Sequence, residues 1–240
     1  MEKTTRARIG FVSSGSSSSP HYSGFKAFIP EDIEVDFKGL GFHGDSLYKL
    51  QGKKEIAIAR INDLVKNNRW DGLMVGGAPT ELLNPGLLTD LTATLNIPVT
   101  TALNSCVYAL KAFQSKKVLL MTPFDKALNE MVCAYLAKAE INATAPQEFR
   151  HKTEASRLSP DEVYSLTKTL FGQGENVEAI YFQGAVLDPI KVLDRIEKEL
   201  DTTVVASNPA MLWFMLSKLG LRYDIRGYGK LLAQWRSLPE

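Results

Sequence analysis

The sequence is poor in cysteine and histidine and has no long apolar run. Its two cysteines, Cys106 and Cys133, and its three histidines, His21, His43 and His151, show no metal-ligand spacing, so neither a metal site nor a disulfide framework is expected. No run of 18 apolar residues occurs, which argues against a membrane span. The N-terminal residues lack the apolar core of a signal peptide, and we therefore expect a cytoplasmic protein.

The charge balance likewise excludes one class of partner. The chain has 28 Lys and Arg against 27 Asp and Glu, a net charge of +1, and contains no basic block. A nucleic-acid partner is therefore not expected. With 240 residues, 45% of them apolar, the chain is long enough to bury a sizeable core without a structural metal.

Short β-rich runs alternate with amphipathic helical patterns along the whole chain. One helix start is clear, because Ser159, Pro160 and Glu162 stand in the order of N-cap, first helical residue and capping-box acid. Alternation of this kind predicts parallel sheets with helices on both faces. The predicted strands are 8–13, 33–38, 72–76, 98–101, 117–122, 178–183 and 202–207.

Three of these strands recur in the same order roughly 105 to 110 residues later. "RIGFVSS" resembles "KVLLMTP", "GLMVGGA" resembles "AIYFQGA", and "PVTT" resembles "TVVA". The repeat predicts two pseudo-symmetric α/β halves, and chance similarity among buried strands is the alternative. We assign 1–115 with 212–240 to the first half and 116–211 to the second.

The residues that follow the strands are small or polar and almost all uncharged. Ligands of open parallel sheets bind beyond the carboxyl ends of the strands, where glycine lets backbone N–H groups approach an anion. We therefore predict a shared cleft between the halves that binds a small carboxylate. The predicted binding residues are Ser13, Ser14, Gly76, Gly77, Ala78, Pro79, Thr80, Thr122, Gly184, Ser207 and Asn208, with Gln183 beside them.

Two further motifs have competing interpretations. "GLGFHG" at 39–44 fits a dinucleotide-binding fingerprint, but the residues after it do not open a helix, so no dinucleotide cofactor is expected. The stretch 13–22, "SSGSSSSPHY", is either a solvated linker or a mobile loop that donates hydroxyls to the ligand. Glu81 is the acid best placed to handle protons near the cleft, and a carboxylate that only stabilises a helix N-terminus is its alternative.

Taken together, several segments resemble the aspartate/glutamate racemase superfamily, on the branch of arylmalonate decarboxylase and maleate cis-trans isomerase. The segments are "RIGFVSS", "GLGF", "IPVTTALNSCVYALKAF", "VLLMTPFDKALNE", "SNPAMLW" and "GYGKLL". The resemblance implies two flavodoxin-like halves with the site between them, a small-molecule carboxylate substrate, no cofactor, and a possible homo-oligomer.

The same resemblance places the two family cysteines at Gly77 and Gln183, so both thiols are missing. The family tyrosine becomes Phe124, which we include among the predicted binding residues, and a Thr-Ser pair becomes Ala78 and Pro79. Without these thiols, the chain lacks the reactive groups that racemisation by two bases and isomerisation by a thiolate require.

Decarboxylation needs only donors that hold the developing enolate, such as the Gln183 amide, and a proton from Glu81 or water. We therefore predict a decarboxylase-like lyase. The alternatives are a non-catalytic dicarboxylate-binding protein and another lyase, isomerase or hydrolytic reaction in the same cleft.

Overall fold

The computed structural model describes residues 4–16, 22–42, 46–149 and 152–239. Within them, eight strands form two parallel sheets of four. The first sheet has the order β2-β1-β3-β4 and the second has the order β6-β5-β7-β8. The strands are β1 (Ala7–Ser13), β2 (Ile33–Gly39), β3 (Gly72–Val75), β4 (Val99–Thr101), β5 (Lys117–Met121), β6 (Asn142–Thr144), β7 (Ala179–Phe182) and β8 (Thr203–Ala206).

Helices flank both sheets, and the matching strand orders confirm the predicted fold of two pseudo-symmetric α/β halves. A short 3-10 helix covers Leu47–Leu50. The α-helices are α1 (Tyr22–Lys26), α2 (Lys54–Asn68), α3 (Ala78–Leu82), α4 (Leu87–Thr94), α5 (Ala102–Ala112), α6 (Lys126–Ala137), α7 (Lys152–Ala155), α8 (Pro160–Gln173), α9 (Leu193–Glu199), α10 (Ser207–Lys218) and α11 (Lys230–Gln234).

The seven predicted strands are all present, and β6 was missed. Strands β3 and β7 are buried along their whole length, as continuous apolar runs in a parallel sheet require. β6 is a three-residue edge strand, Asn142–Thr144, whose outer residues are exposed. Its composition carries no apolar signal, and only its pairing with β5 defines it as a strand.

Helix α10 lies at the centre of the molecule. Every residue from Ser207 to Leu216 is buried, and the helix packs against β3 and β4 of the first sheet and β8 of the second. The predicted boundary between the halves, at 211 and 212, falls inside this continuous helix, and the division of the chain stays a prediction. Because α10 contacts strands of both sheets, its packing couples them.

The predicted start of α8 is confirmed. The Glu162 backbone N–H donates to Ser159 Oγ at 3.3 Å, and the Ser159 N–H donates to Glu162 Oε2 at 2.7 Å. This pair of bonds is a capping box, which satisfies two N–H groups at the helix end. Among the described residues, no helix combines the length and apolar character that crossing a bilayer requires.

Candidate functional site

A cavity of about 570 Å³ lies where the carboxyl ends of strands from both sheets meet. Such a position is the expected ligand site of parallel α/β sheets. The lining residues come from the ends of β1, β3 and β7, the start of α10, and the segments after β2 and β6. They are Phe11, Ser13–Ser16, Tyr22, Phe42, Ser46, Leu47, Lys49, Leu50, Gly76, Gly77, Thr153, Ser156, Gln183–Val186, Ser207, Asn208 and Met211.

Two turns with the same geometry border the cavity from opposite halves. The Gly76 N–H donates to the Val12 carbonyl at 2.8 Å, and the Gln183 N–H donates to the Met121 carbonyl at 2.9 Å. Since each donor directly follows its strand and bonds to the end of the neighbouring strand, Gly76 is the structural equivalent of Gln183. This pairing is the one in the sequence repeat, where "GLMVGGA" aligns with "AIYFQGA", whereas the resemblance placed the two family cysteines at Gly77 and Gln183.

The second residue of each turn is a glycine for a conformational reason. Gly77 has φ 86° and Gly184 has φ 101°, which lie in the left-handed region that side chains with a Cβ rarely adopt. The two glycines are also equivalent in the pseudo-symmetry, since each follows one of the paired residues. The turns therefore leave backbone groups close to the cavity in both halves.

Gly76 is restricted by its neighbour rather than by its backbone. A Cβ built at this position would lie 2.7 Å from Cζ of Phe11, which also lines the cavity. Such an approach is closer than real Cβ contacts, so the ring would have to move. Any larger side chain here, a cysteine included, requires repacking of Phe11.

Gln183 borders the cavity, but its side chain has no exposed surface. Its Oε1 accepts a hydrogen bond from the hydroxyl of Tyr181, the residue two positions earlier on the same strand. Its Nε2 has no hydrogen-bond partner among the described residues. Because a buried donor without a partner costs about 1–3 kcal/mol, an acceptor brought within reach of Nε2 would relieve this cost.

The first strand and helix α10 supply hydroxyls and an amide. Tyr22 Oη donates to Ser13 Oγ at 2.5 Å and approaches the Ser16 carbonyl at 3.0 Å. Ser207 and Asn208 begin α10 and are largely buried. The N-terminal N–H groups of a helix favour an anion, which adds to the donor character of this wall.

Several predicted binding residues lie behind the cavity wall instead of on it. Ala78, Pro79 and Thr80 form the buried first turn of α3, because the chain enters that helix directly after Gly77. Thr122 is turned inward by its bond to the Asn129 side chain, and its Oγ1 accepts from the Phe124 N–H at 3.1 Å. Phe124 itself packs beneath Gly184.

Glu81 also lies away from the cavity lining, in a buried polar group between the halves. Its carboxylate accepts from Thr101 Oγ1 at 2.6 Å and from Tyr135 Oη at 3.1 Å. Burial raises the pKa of Glu81, and the two hydrogen bonds oppose that rise only in part. Both carboxylate oxygens are engaged, so this geometry gives Glu81 no path to a bound ligand.

The cysteines do not reach the cavity lining either. Cys106 is fully buried in α5 beside Tyr181, and burial raises the pKa of its thiol to about 12. Cys133 is half-buried in α6, and burial raises the pKa of its thiol as well. Neither thiol is placed or ionised as a nucleophile at the cavity would be.

The remaining sequence motifs resolve as follows. All three histidines and half of the stretch 13–22, residues 17–21, lie outside the described residues. After β2, the first α-helix in the described part begins at Lys54, well beyond the place where a dinucleotide fingerprint would open one. The described residues contain no cluster of three or more His, Cys, Asp or Glu side chains that could hold a metal ion.

Sequence reasoning missed the part of the lining that comes from the segments after β2 and β6. Lys49 and Leu47 lie in the 3-10 helix, while Thr153 and Ser156 come from the α7 region. These segments carry no strong periodicity. β2 and β6 occupy equivalent positions in the two sheets. Only this equivalence could have indicated that the segments after both strands line the same cleft.

Comparison with known proteins supports this architecture. A family model described as arylmalonate decarboxylase matches residues 80–232, which is more than half of the chain. The chain belongs to the arylmalonate decarboxylase family. The matched range includes Gln183 and Gly184 but ends short of the Gly76–Gly77 turn.

Curated relatives of this family member include maleate isomerases. The enzyme from Alcaligenes faecalis is 26% identical over 142 residues, which are 58% of this chain and 55% of that protein. The enzyme from Nocardia farcinica is 27% identical over 140 residues, 57% and 55% of the two chains. The matched segment thus spans about half the length of these relatives.

Solved structures of the same branch share the fold. A mutant of arylmalonate decarboxylase in the liganded form has a TM-score of 0.80 at 20% identity, covering 95% of this chain and 99% of that chain. Maleate cis-trans isomerase from Nocardia farcinica, with a covalently bound succinylcysteine intermediate, has a TM-score of 0.76 at 20% identity, covering 95% and 98%. That structure carries its succinyl group on a cysteine, whereas the described lining of this cavity contains none.

Proposed function

We propose that this protein is a cofactor-independent lyase that decarboxylates a small carboxylic acid bound in the cavity between the halves. The observation that carries the proposal is the unpartnered Nε2 of Gln183 beside a cavity with no acidic side chain in its described lining. A negatively charged ligand meets donors there and no like charge. Membership in the family favours an acid as the ligand.

The chemistry follows from where the donors lie. One carboxylate of a malonate-type acid is held near Phe11 and Met211, where its charge is poorly solvated. Its bond to the central carbon breaks, carbon dioxide leaves, and the electron pair moves into the second carboxyl group as an enediolate. The Gln183 side-chain amide and the backbone N–H groups of Gly77 and Gly184 hold that charge, and each such donor lowers the barrier by about 3 kcal/mol.

Water supplies the final proton and leaves as hydroxide. Glu81 is not assigned this task, because its two oxygens are occupied by Thr101 and Tyr135. Both cysteines are excluded from it by their burial in α5 and α6. A water donor gives less control over the face that is protonated, so a prochiral malonate is expected to yield a product of low enantiomeric excess.

The test follows carbon dioxide release and deuterium incorporation by NMR in D₂O with a panel of malonates, hydroxy acids and keto acids. The wild type is expected to decarboxylate at least one malonate and to leave deuterium on the α-carbon. Gln183→Met should lower the rate about 100-fold. Gln173→Met makes the same chemical change on the exposed end of α8 and should leave the rate unchanged.

A second function, a binding protein for dicarboxylates, is favoured by one observation. The described lining offers neither a thiol nor a carboxylate that could act as acid or base. Thermal stabilisation by small acids without any turnover across the panel would establish this function and contradict the lyase. Turnover of any member of the panel would remove it.

A further inference from the structure

The charge on the cavity wall is not evenly distributed. Lys49 is the one charged side chain among the described lining residues, and no ion pair between described residues involves it. It comes from the 3-10 helix after β2, which packs against α3, the helix that follows Gly77. The turn wall, by contrast, offers only uncharged donors such as the Gln183 amide.

The backbone that carries Lys49 is held on both sides. Tyr48 Oη donates to Asp125 of the second half, at 2.8 and 3.0 Å to the two carboxylate oxygens. Leu50 is buried, and its carbonyl accepts from Asn84 Nδ2 at 3.0 Å. Lys49 therefore stands at a fixed place on the cavity rim, while its flexible side chain can reach inward.

The size of the cavity leaves room for more than a three- or four-carbon acid. Pockets of ~300–1,000 Å³ hold ligands of drug size, and this cavity has about 570 Å³. The lining also includes apolar surface from Phe42 and Leu47 and hydroxyls from Thr153 and Ser156. A ligand that fills the space therefore needs both apolar and polar parts.

We propose that Lys49 is a specificity-determining residue that binds a second anionic group on the arm of the substrate that lies away from the reacting carboxyl groups. The inference rests on the proposed function, since it takes the turns as the place where the reacting end binds. The substrate class that fits is a malonate-type acid whose ring-sized substituent carries a further carboxylate. A single charge-assisted hydrogen bond at a partly exposed site is expected to strengthen binding about tenfold.

The test compares phenylmalonate with (4-carboxyphenyl)malonate by isothermal titration calorimetry. Wild type is expected to bind the second acid about tenfold more tightly, with a preference that shrinks as sodium chloride is raised. Lys49→Met should abolish the preference, measured as the ratio of the two affinities. Lys49→Arg should keep it, and so should Lys66→Met, which removes an exposed charge of α2 outside the cavity.

The outcomes separate this proposal from the one it rests on. If wild type binds both acids equally, or if Lys49→Met keeps the preference, the role of Lys49 is wrong and the lyase proposal stands. If neither acid binds to wild type and the panel of acids gives no turnover, the proposed function fails and the role of Lys49 fails with it.

Discussion

The hydrogen bond between Tyr181 and Gln183 allows a quantitative prediction about stability and binding together. Tyr181 Oη donates to Gln183 Oε1, and both side chains are fully buried. The amide Nε2 is left without a partner in the described structure. The unpaired donor lowers the stability of the free protein, and a ligand that accepts a hydrogen bond from it would offset that loss. Variants that remove the donor should therefore change stability and ligand binding by different amounts.

The magnitudes follow from which polar atoms each variant leaves unpaired. Tyr181→Phe removes the donor to Oε1 and should destabilise the protein by about 1–3 kcal/mol. Gln183→Met removes both amide atoms and leaves the Tyr181 hydroxyl without its acceptor, so its two effects nearly cancel. The double variant replaces both partners with apolar groups of similar shape and should lie within about 1 kcal/mol of the wild type or above it.

Urea unfolding at pH 7, followed by tryptophan fluorescence and far-UV circular dichroism, measures these free energies of unfolding. Coincident transitions and constant m-values would justify the comparison. The double variant should fold, as its urea transition will show, but calorimetric titration should detect no binding of phenylmalonate. A double variant destabilised by the sum of the two single changes, or one that binds like wild type, would refute the reasoning.

Two further predictions concern buried positions. Burial raises the pKa of Glu81 above its usual 4.5, so the folded state holds this proton more tightly than the unfolded state. The stability gained from this proton is fully present below about pH 4.5 and is lost as the pH rises through the pKa of Glu81 in the folded state. Glu81→Gln should therefore remove this pH dependence from urea midpoints measured between pH 4 and 8. An unchanged pH profile in the variant would count against the prediction. Gly76→Ala places a Cβ 2.7 Å from Phe11 and should lower the free energy of unfolding, measured in urea, by about 1–3 kcal/mol. The control is Gly172→Ala on α8, where a Cβ meets nothing within 4 Å. This change should raise the free energy of unfolding by about 0.5–1 kcal/mol. Equal effects of the two glycine changes would contradict the predicted clash.

Part of the candidate site could be predicted because it follows directly from strand order. Gly76, Gly77, Gln183 and Gly184 lie immediately after buried strands, and parallel strands bring their carboxyl ends to one edge of each sheet. Periodicity also places Tyr181 on the same face as Gln183, since residues two apart on a strand point the same way. Short-range rules of this kind need no knowledge of the rest of the fold.

Other residues were assigned to the cleft from proximity in sequence, and the assignment did not match their placement. Thr80 and Glu81 follow the Gly77 turn by only three and four residues, yet α3 begins at once and carries them into the interior. Thr122 directly follows β5, in the position equivalent to Ser13 of β1, but its bond to Asn129 turns it inward. Which way a side chain faces after a strand depends on the partner that packs beside it.

The sequence by itself determined the two repeated halves, the strands that end in small residues, and the absence of cysteine directly after those strands, because these depend on apolar patterning and residue identity. Tertiary structure alone decided that Lys49 and Thr153 share one cavity with Gln183. It also decided that Glu81 is enclosed by Thr101 and Tyr135. These contacts join residues far apart in the chain, and the physical reason is that packing of the two halves against each other, rather than local propensity, fixes them.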